Sequence, residues 1–223
     1  MIAKMGYIRD TLFNVLPDTD TWTLVKNHCR TTVAKRFTEK EPTDKFKKGL
    51  LIAEHSPIRG LIYDWSWQSI KYWVSTEWSR HKFEKFISSQ RNDRQDRYDR
   101  NAARQDALVN FCGTANQQNL IDAWRKRLCV GCAAPEARAL AEDFKVVLHE
   151  THPLEAGVLV PNCIYRWGCP EMNTSCGYFH KFITHCVQEG YSLDQLCAAP
   201  IEKRYELYNE WFYKMYEDKM NKR

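Results

Sequence analysis

Arg80-His81-Lys82 and, after a six-residue spacer, Ser89-Gln90-Arg91 put cationic side chains, an imidazole and a hydroxyl within one short stretch. That set suits a flat, phosphate-bearing ligand. A guanidinium offers a planar fork to phosphate or carbonyl oxygens, and an ammonium adds a point charge. Read as a helix over 71–87, the stretch places Glu77, Arg80, His81 and Glu84 at i, i+3, i+4 and i+7, on one face. The competing reading is the solvated face of an amphipathic helix. A second set, Asn116, Leu120, Ala123 and Arg127, stands at i, i+4, i+7 and i+11 along another expected helix. Asn116 and Arg127 then project from one side about 16 Å apart. With Leu120 between them they could bracket a ligand along the helix axis; the plainer alternative is a pair of polar helix ends reaching water.

Several elements must position these residues. Asp20 can cap a helix to about residue 35, with Trp22, Val25, Cys29 and Val33 inward. Thr43 can cap a second helix through Ala53, which stops before Ser56-Pro57. The stretch 1–16 reads as irregular. Over 60–69, Leu61, Tyr63, Trp65 and Trp67 alternate with Ile62, Asp64, Ser66 and Gln68, which predicts a half-buried strand leading into the charged helix. Arg91, Arg94, Arg97 and Arg100 recur at every third position with Asp93, Asp96 and Asp99 between them, the pattern of a solvated, self-paired segment, from which Arg91 is set apart by its Ser-x-Arg position. Helices are expected over 115–128 and 136–149, with Pro135 opening the second, then a short strand over 158–160 closed by Pro161. Pro200 opens a last helix to about Met220. Its Tyr205, Tyr208, Trp211, Phe212, Met215 and Tyr216 lie on adjoining faces, as expected of a core or a subunit interface.

With 223 residues, 43% hydrophobic and 13% aromatic, the chain is long and apolar enough to fold, which excludes a disordered protein. A net charge of +5 suits an enzyme for anionic substrates as well as a weak nucleic-acid binder. No apolar run is long enough to span a bilayer and no signal-peptide pattern opens the sequence, so the expectation is a cytoplasmic protein without a membrane partner. Nine cysteines are many for that compartment, where disulfides seldom persist. Cys129-x-x-Cys132 with Cys163-x5-Cys169 could offer four thiolates to zinc, with Cys176, His180 and His185 as further donors. The irregular spacing instead favours buried thiols acting as small hydrophobes, and no metal ligand is assigned. There is no Gly-rich phosphate loop. The basic run and the C-terminal aromatics leave a zinc-stabilised nucleic-acid-binding protein as the alternative of another class, although nothing forms the sheet or groove that presents stacked bases.

Taken together, the clusters resemble the flavin-dependent thymidylate synthases. That family carries Arg-His-Arg, a short spacer and Ser-x-Arg, then an Asn-initiated helix ending in Leu-Arg and a helix with an early Glu. This chain has Arg80-His81-Lys82, Ser89-Gln90-Arg91, Asn116 to Arg127, and Glu136 in that order. His55-Ser56-Pro57-Ile58-Arg59 stands where the family has a Ser/Thr-Pro-Phe-Glu-His type of turn, and the likeness covers about Glu54 to Glu136. Lys82 replaces the third Arg, Glu77 a Gln, and Gln118 an Arg, and the middle segment is short, a form associated with phage homologues.

The resemblance implies an α+β domain over 1–162, with a Cys-rich, aromatic helical extension over 163–223 packed on it. It implies a homotetramer with FAD and nucleotide held where subunits meet. The implied activity moves a one-carbon unit from methylenetetrahydrofolate to C5 of dUMP, giving dTMP, with reducing equivalents from NADPH. Arg80 and Arg127 would polarise the pyrimidine carbonyls. Glu77, Ser89, Gln90 and Arg91 would line the nucleotide, Ser89 and Arg91 at its phosphate. His81, Lys82 and Asn116, with His55 beyond them, would contact the flavin. Glu77 and the short middle segment leave open a flavin-dependent hydroxymethylase or related base-modifying enzyme acting on dUMP or dCMP. An ionised Glu only accepts hydrogen bonds, so facing the ligand it would favour the cytosine amine, whereas paired with Arg80 it would be neutralised.

Overall fold

The computed structural model describes residues 2–3, 11–14, 21–91, 93, 99–172 and 176–221, with the backbone alone for 2–3 and 11–14. Its centre is a five-stranded antiparallel sheet of order β1-β2-β3-β5-β4, formed by Ile2–Ala3, Thr11–Asn14, Ile62–Lys71, Leu108–Asn116 and Glu84–Ile87 respectively. The alternation expected in the third strand is present: Tyr63, Trp65 and Trp67 are buried while Ile62, Asp64, Ser66 and Gln68 are not. Trp65 lies opposite Gly113 in β5, and a Cβ there would stand 2.3 Å from the indole. Only glycine lets that ring lie flat on the neighbouring strand. After Trp67 the register shifts at a bulge, where Ser69 takes a positive φ of 54° and Ile70 returns to the buried face.

Helices cover the buried face. α1 (Thr21–Thr32) buries Trp22 and Val25, but Val33 is 60% exposed, beyond the helix end. Asp20, its expected cap, lies outside the described residues. α2 (Asp44–Ile52) is capped as expected, the Thr43 hydroxyl accepting from the Phe46 amide at 3.3 Å. α3 (Tyr72–Trp78) follows β3 directly, α4 (Gln117–Arg127) follows β5, and α5 (Pro135–Thr151) begins at its proline. α6 (Pro153–Gly157) and α7 (Asn162–Tyr165) are short. α8 (Tyr178–Gln188), α9 (Leu193–Ala198) and α10 (Ile201–Asn221) form the C-terminal part.

Four local expectations are corrected. Residues 71–87 are not one helix, because the chain stops coiling at Trp78, turns through Arg80 to Lys82 and returns as β4. Pairing of β4 with β5 overrides the local helical pattern there. β5 itself was not expected as a strand, and its last residue, Asn116, caps α4 instead of belonging to it. The stretch 1–16 contains two strands. Val158 to Val160 form a buried turn, not a strand, with the Leu159 amide bonded to Ala156 O at 3.1 Å. A short apolar run does not by itself distinguish the two.

The C-terminal aromatics are core. Tyr205, Tyr208, Trp211 and Phe212 are buried in one hydrophobic cluster with Trp65, Trp124 and Phe144. Lys145 of α5 is fully buried against them, its Nζ donating to Ala156 O at 2.6 Å and Asn209 Oδ1 at 2.7 Å. Those two bonds tie α5 and the Ala156 carbonyl to α10. No helix among the described residues is long and apolar enough to cross a membrane.

Candidate active site

The turn that ends α3 and the last turn of α4 meet over the aromatic core. Leu120 and Ala123 are fully buried, so the α4 stripe that carries Arg127 faces inward. Arg127 is 8% exposed, and its guanidinium is held on three sides. Nε donates to His81 Nε2 at 2.6 Å, Nη2 donates to the Glu77 carbonyl at 2.8 Å, and Nη1 forms an ion pair with the Glu77 carboxylate. The guanidinium also lies 5.8 Å from the Trp78 ring centre. Two N–H groups remain, one on each terminal nitrogen, for any ligand.

The protonation of His81 follows from this geometry. Its pKa is lowered from 6.5 to about 4, by burial first and then by Arg127 and Lys85. Neutral at pH 7, it accepts through Nε2 and therefore carries its proton on Nδ1. Of the two alternatives left open for Glu77, pairing is the one present, but with Arg127 across the fold and not with Arg80. Arg80 is exposed and lines a cleft of about 530 Å³ with Tyr72, Trp73, Thr76, Glu77, Gln105, Cys132 and Ala134. Two aromatic walls and a cation suit a flat, anionic ligand.

The remaining predicted residues lie elsewhere or serve the backbone. Asn116 Oδ1 accepts from the Asn119 amide at 2.9 Å, the N-cap of α4. Lys82 is exposed, and its carbonyl accepts from Asn119 Nδ2 at 2.7 Å, fastening that helix start to the turn. His55 is exposed at the start of a 3-10 turn over Ser56–Gly60. Glu136 pairs with Lys71 at 3.1 Å on the surface. Ser89 and Gln90 line a separate recess of about 220 Å³ with Ser69, Ser88, Leu108, Val109 and Asn110. Arg91 is exposed and gives both arms of its fork to Asp93, at 2.9 and 2.6 Å. Self-pairing was expected of the outer arginines and not of Arg91, which here pairs locally as well; Arg94 and Arg97 lie outside the described residues.

The two halves of the motif therefore flank β4, His81 before it and Ser89 after it. Four strand residues alone span about 13 Å, and within one chain the halves line different recesses. Sequence reasoning missed two contributors. Cys132 lines the Arg80 cleft. A second, half-buried ion pair links Arg125 to Glu54, which also accepts from Gln118 Nε2 at 2.8 Å. The Arg125 guanidinium lies 3.6 Å from the Tyr165 ring centre. The charged residues of that network were visible, but the 71-residue separation of its ion pair was not bridged by any local pattern.

The small antiparallel sheet backed by helices is the fold of the flavin-dependent thymidylate synthases. The chain is similar to thymidylate synthase X from Helicobacter pylori, solved with FAD and dUMP, at 13% identity and a TM-score of 0.52, over 67% of this chain and 98% of that one. It is also similar to the UMP/dUMP methylase PolB from Streptomyces cacaoi, solved with 5-Br dUMP, at 12% identity and a TM-score of 0.51, over 67% of this chain and 94% of that one. No protein-family model matches the sequence, and no curated protein is significantly similar to it.

Proposed function

We propose that this protein is a flavin-dependent enzyme that transfers a one-carbon unit to C5 of a pyrimidine deoxynucleotide, with dUMP as substrate and dTMP as product. The observation that carries the reading is the cleft where Arg80 stands exposed beside buried Arg127 and its half-buried partners Glu77 and His81. Support comes from the fold shared with two proteins solved with dUMP or 5-Br dUMP, one of them with FAD as well. The aromatic and cationic lining of the cleft fits a flavin or a pyrimidine ring. Bound FAD would supply the electron transfer that side chains cannot, with NADPH and methylenetetrahydrofolate as co-substrates.

The residues divide the remaining work. Arg80 polarises a pyrimidine carbonyl and stabilises the negative charge that develops as C5 becomes nucleophilic. Arg127 is fixed by His81 and Glu77, so its two remaining N–H groups are already oriented when the ligand arrives. His81 stays neutral and Lys82 lies exposed beside it, available to a flavin; His55 and Asn116 would complete the flavin contacts. Ser89, Gln90 and Arg91 hold the nucleotide phosphate, but from a neighbouring chain. The separation of the two half-sites along β4 supports a homotetramer with shared sites. The pairing of Glu77 with Arg127 removes the reason to favour cytosine, so dUMP precedes dCMP.

The test is direct. The purified protein should bind FAD and turn over dUMP with NADPH and methylenetetrahydrofolate, giving a product 14 mass units heavier, about one methylene. A product heavier by a further oxygen would make it a hydroxymethylase. A colourless protein that binds no flavin when FAD is added would refute the reading, and a monomer active at high dilution would refute the shared site.

A further inference from the structure

Cysteines from two distant segments gather at the edge of this cleft. Beyond α4, the Cys132 and Ala133 amides turn back onto the Cys129 carbonyl at 3.3 and 3.1 Å. The Sγ atoms of Cys129 and Cys132 and a carboxylate oxygen of Glu171 all lie within 4.8 Å of one another. Cys176 packs on the same turn, since a Cβ at Gly131 would stand 3.7 Å from its Sγ. Cys163 is buried and lies within electrostatic range of Cys129, Cys176 and Cys169. The intervals Cys163-x5-Cys169-x6-Cys176 look irregular because the fold, not the local spacing, brings them to Cys129-x-x-Cys132.

We propose that Cys129, Cys132, Cys163 and Cys176 hold a structural zinc ion, with Cys169 and Glu171 beside it. Thiols are weak hydrogen-bond donors and acceptors, so clustering them gives little stability unless an ion binds their thiolates. Two sulfurs on one tetrahedral zinc stand about 3.8 Å apart, from a Zn–S length of about 2.3 Å. Side-chain rotations of about an ångström would close the spread in the Cys129–Cys132 pair to that value. Soft thiolate donors select zinc over calcium or magnesium. Binding releases the thiol protons and leaves a doubly negative tetrathiolate centre.

The position gives the ion a purpose. Arg127 is two residues before Cys129, and Cys132 lines the cleft with Arg80. The ion would clamp the end of α4 to the segment leading into α8. Its negative charge would sit beside two arginines the candidate active site needs held in place. This inference stands on the cysteines alone and not on the flavin reading.

Full-length protein purified under reducing conditions from zinc-supplied cells should carry about one zinc per chain by elemental analysis. Thiol modification should release it. Cobalt exchanged into the wild-type chain should show an intense thiolate-to-cobalt charge-transfer band, a readout that needs no variant to fold. Cys129→Ser and Cys163→Ser should lose the ion, whereas Cys197→Ser in α9 and Glu171→Gln should keep it. A chain that takes up neither zinc nor cobalt stoichiometrically, or that contains iron and sulfide instead, overturns the proposal. So does zinc retained at full occupancy in Cys129→Ser and Cys163→Ser, or lost in Glu171→Gln.

Discussion

At the start of β4, His81 meets a guanidinium that is 8% exposed and bonded to acceptors from two residues of another segment. Past its end, Arg91 is exposed and spends its whole fork on Asp93, two positions away. Both are arginines of the same expected site. The first is part of the fold, because a buried charge must be matched by partners the fold itself positions. The second is loosely committed, since an exposed pair is screened by water and exchanges easily for another anion. One end of the strand is thus prepared in advance and the other is available to be recruited.

The largest effect should come from Arg127→Ala. The family resemblance puts the guanidinium on the substrate, a place from which its loss would spare the fold. Its burial against Glu77 predicts otherwise: the carboxylate would be left uncompensated, and breaking such a pair costs about 3–5 kcal/mol. Chemical denaturation of the variant checks this. A loss under about 1 kcal/mol would mean that Glu77 reaches water freely and that the contrast between the two ends is false.

Acid should act on the same end. The His81 pKa falls from 6.5 to about 4 on folding, so between those values the unfolded chain binds more protons than the folded one. Its contribution is complete above pH 6.5 and is lost as pH drops toward 4. After allowance for partial exposure the loss is on the order of 2 kcal/mol. Unfolding free energies measured across that interval should fall less steeply in His81→Gln than in the wild type. Parallel curves would show that His81 does not titrate differently on folding.

Glu77→Gln should cost less, about 1–2 kcal/mol, because the amide oxygen can still accept from Arg127 while the charge is lost. The ratio of kcat/KM for dUMP to that for dCMP should stay unchanged, since the side chain faces Arg127 and not the base. A marked change in that ratio would place Glu77 against the ligand.

Much of this architecture was readable before any coordinates. The alternation of Tyr63, Trp65 and Trp67 fixed one strand face, Thr43 marked a helix start and Pro135 another. The residues of the Arg127 cluster were also visible as polar positions in apolar surroundings. Their partners were not. Arg127 and His81 are 46 positions apart, and no periodicity spans that distance. Reading 71–87 as one helix put Glu77, Arg80 and His81 on a common face for the wrong reason. The chain turns between them, and Arg127 supplies the link that helical spacing seemed to give. The cysteines show the same limit, for their proximity depends on how α4 meets the segment after α7.

The smallest effect on the fold, and the sharpest test of the other end, is Arg91→Ala. The side chain is exposed and Asp93 would simply be rehydrated, so the unfolding midpoint should not move. Its effect should appear only when nucleotide binds. If Arg91 exchanges Asp93 for the phosphate of a nucleotide on a neighbouring chain, KM for dUMP should rise roughly tenfold, the scale of one charge-assisted contact. Asp93→Ala removes the competing anion and should leave KM equal or lower, a direction a purely local pair would not produce. Thermal unfolding and steady-state kinetics on both variants separate the cases. An Arg91→Ala enzyme with a lowered midpoint and an unchanged KM would make Arg91 a structural residue like Arg127, and the two ends of β4 would no longer differ in kind.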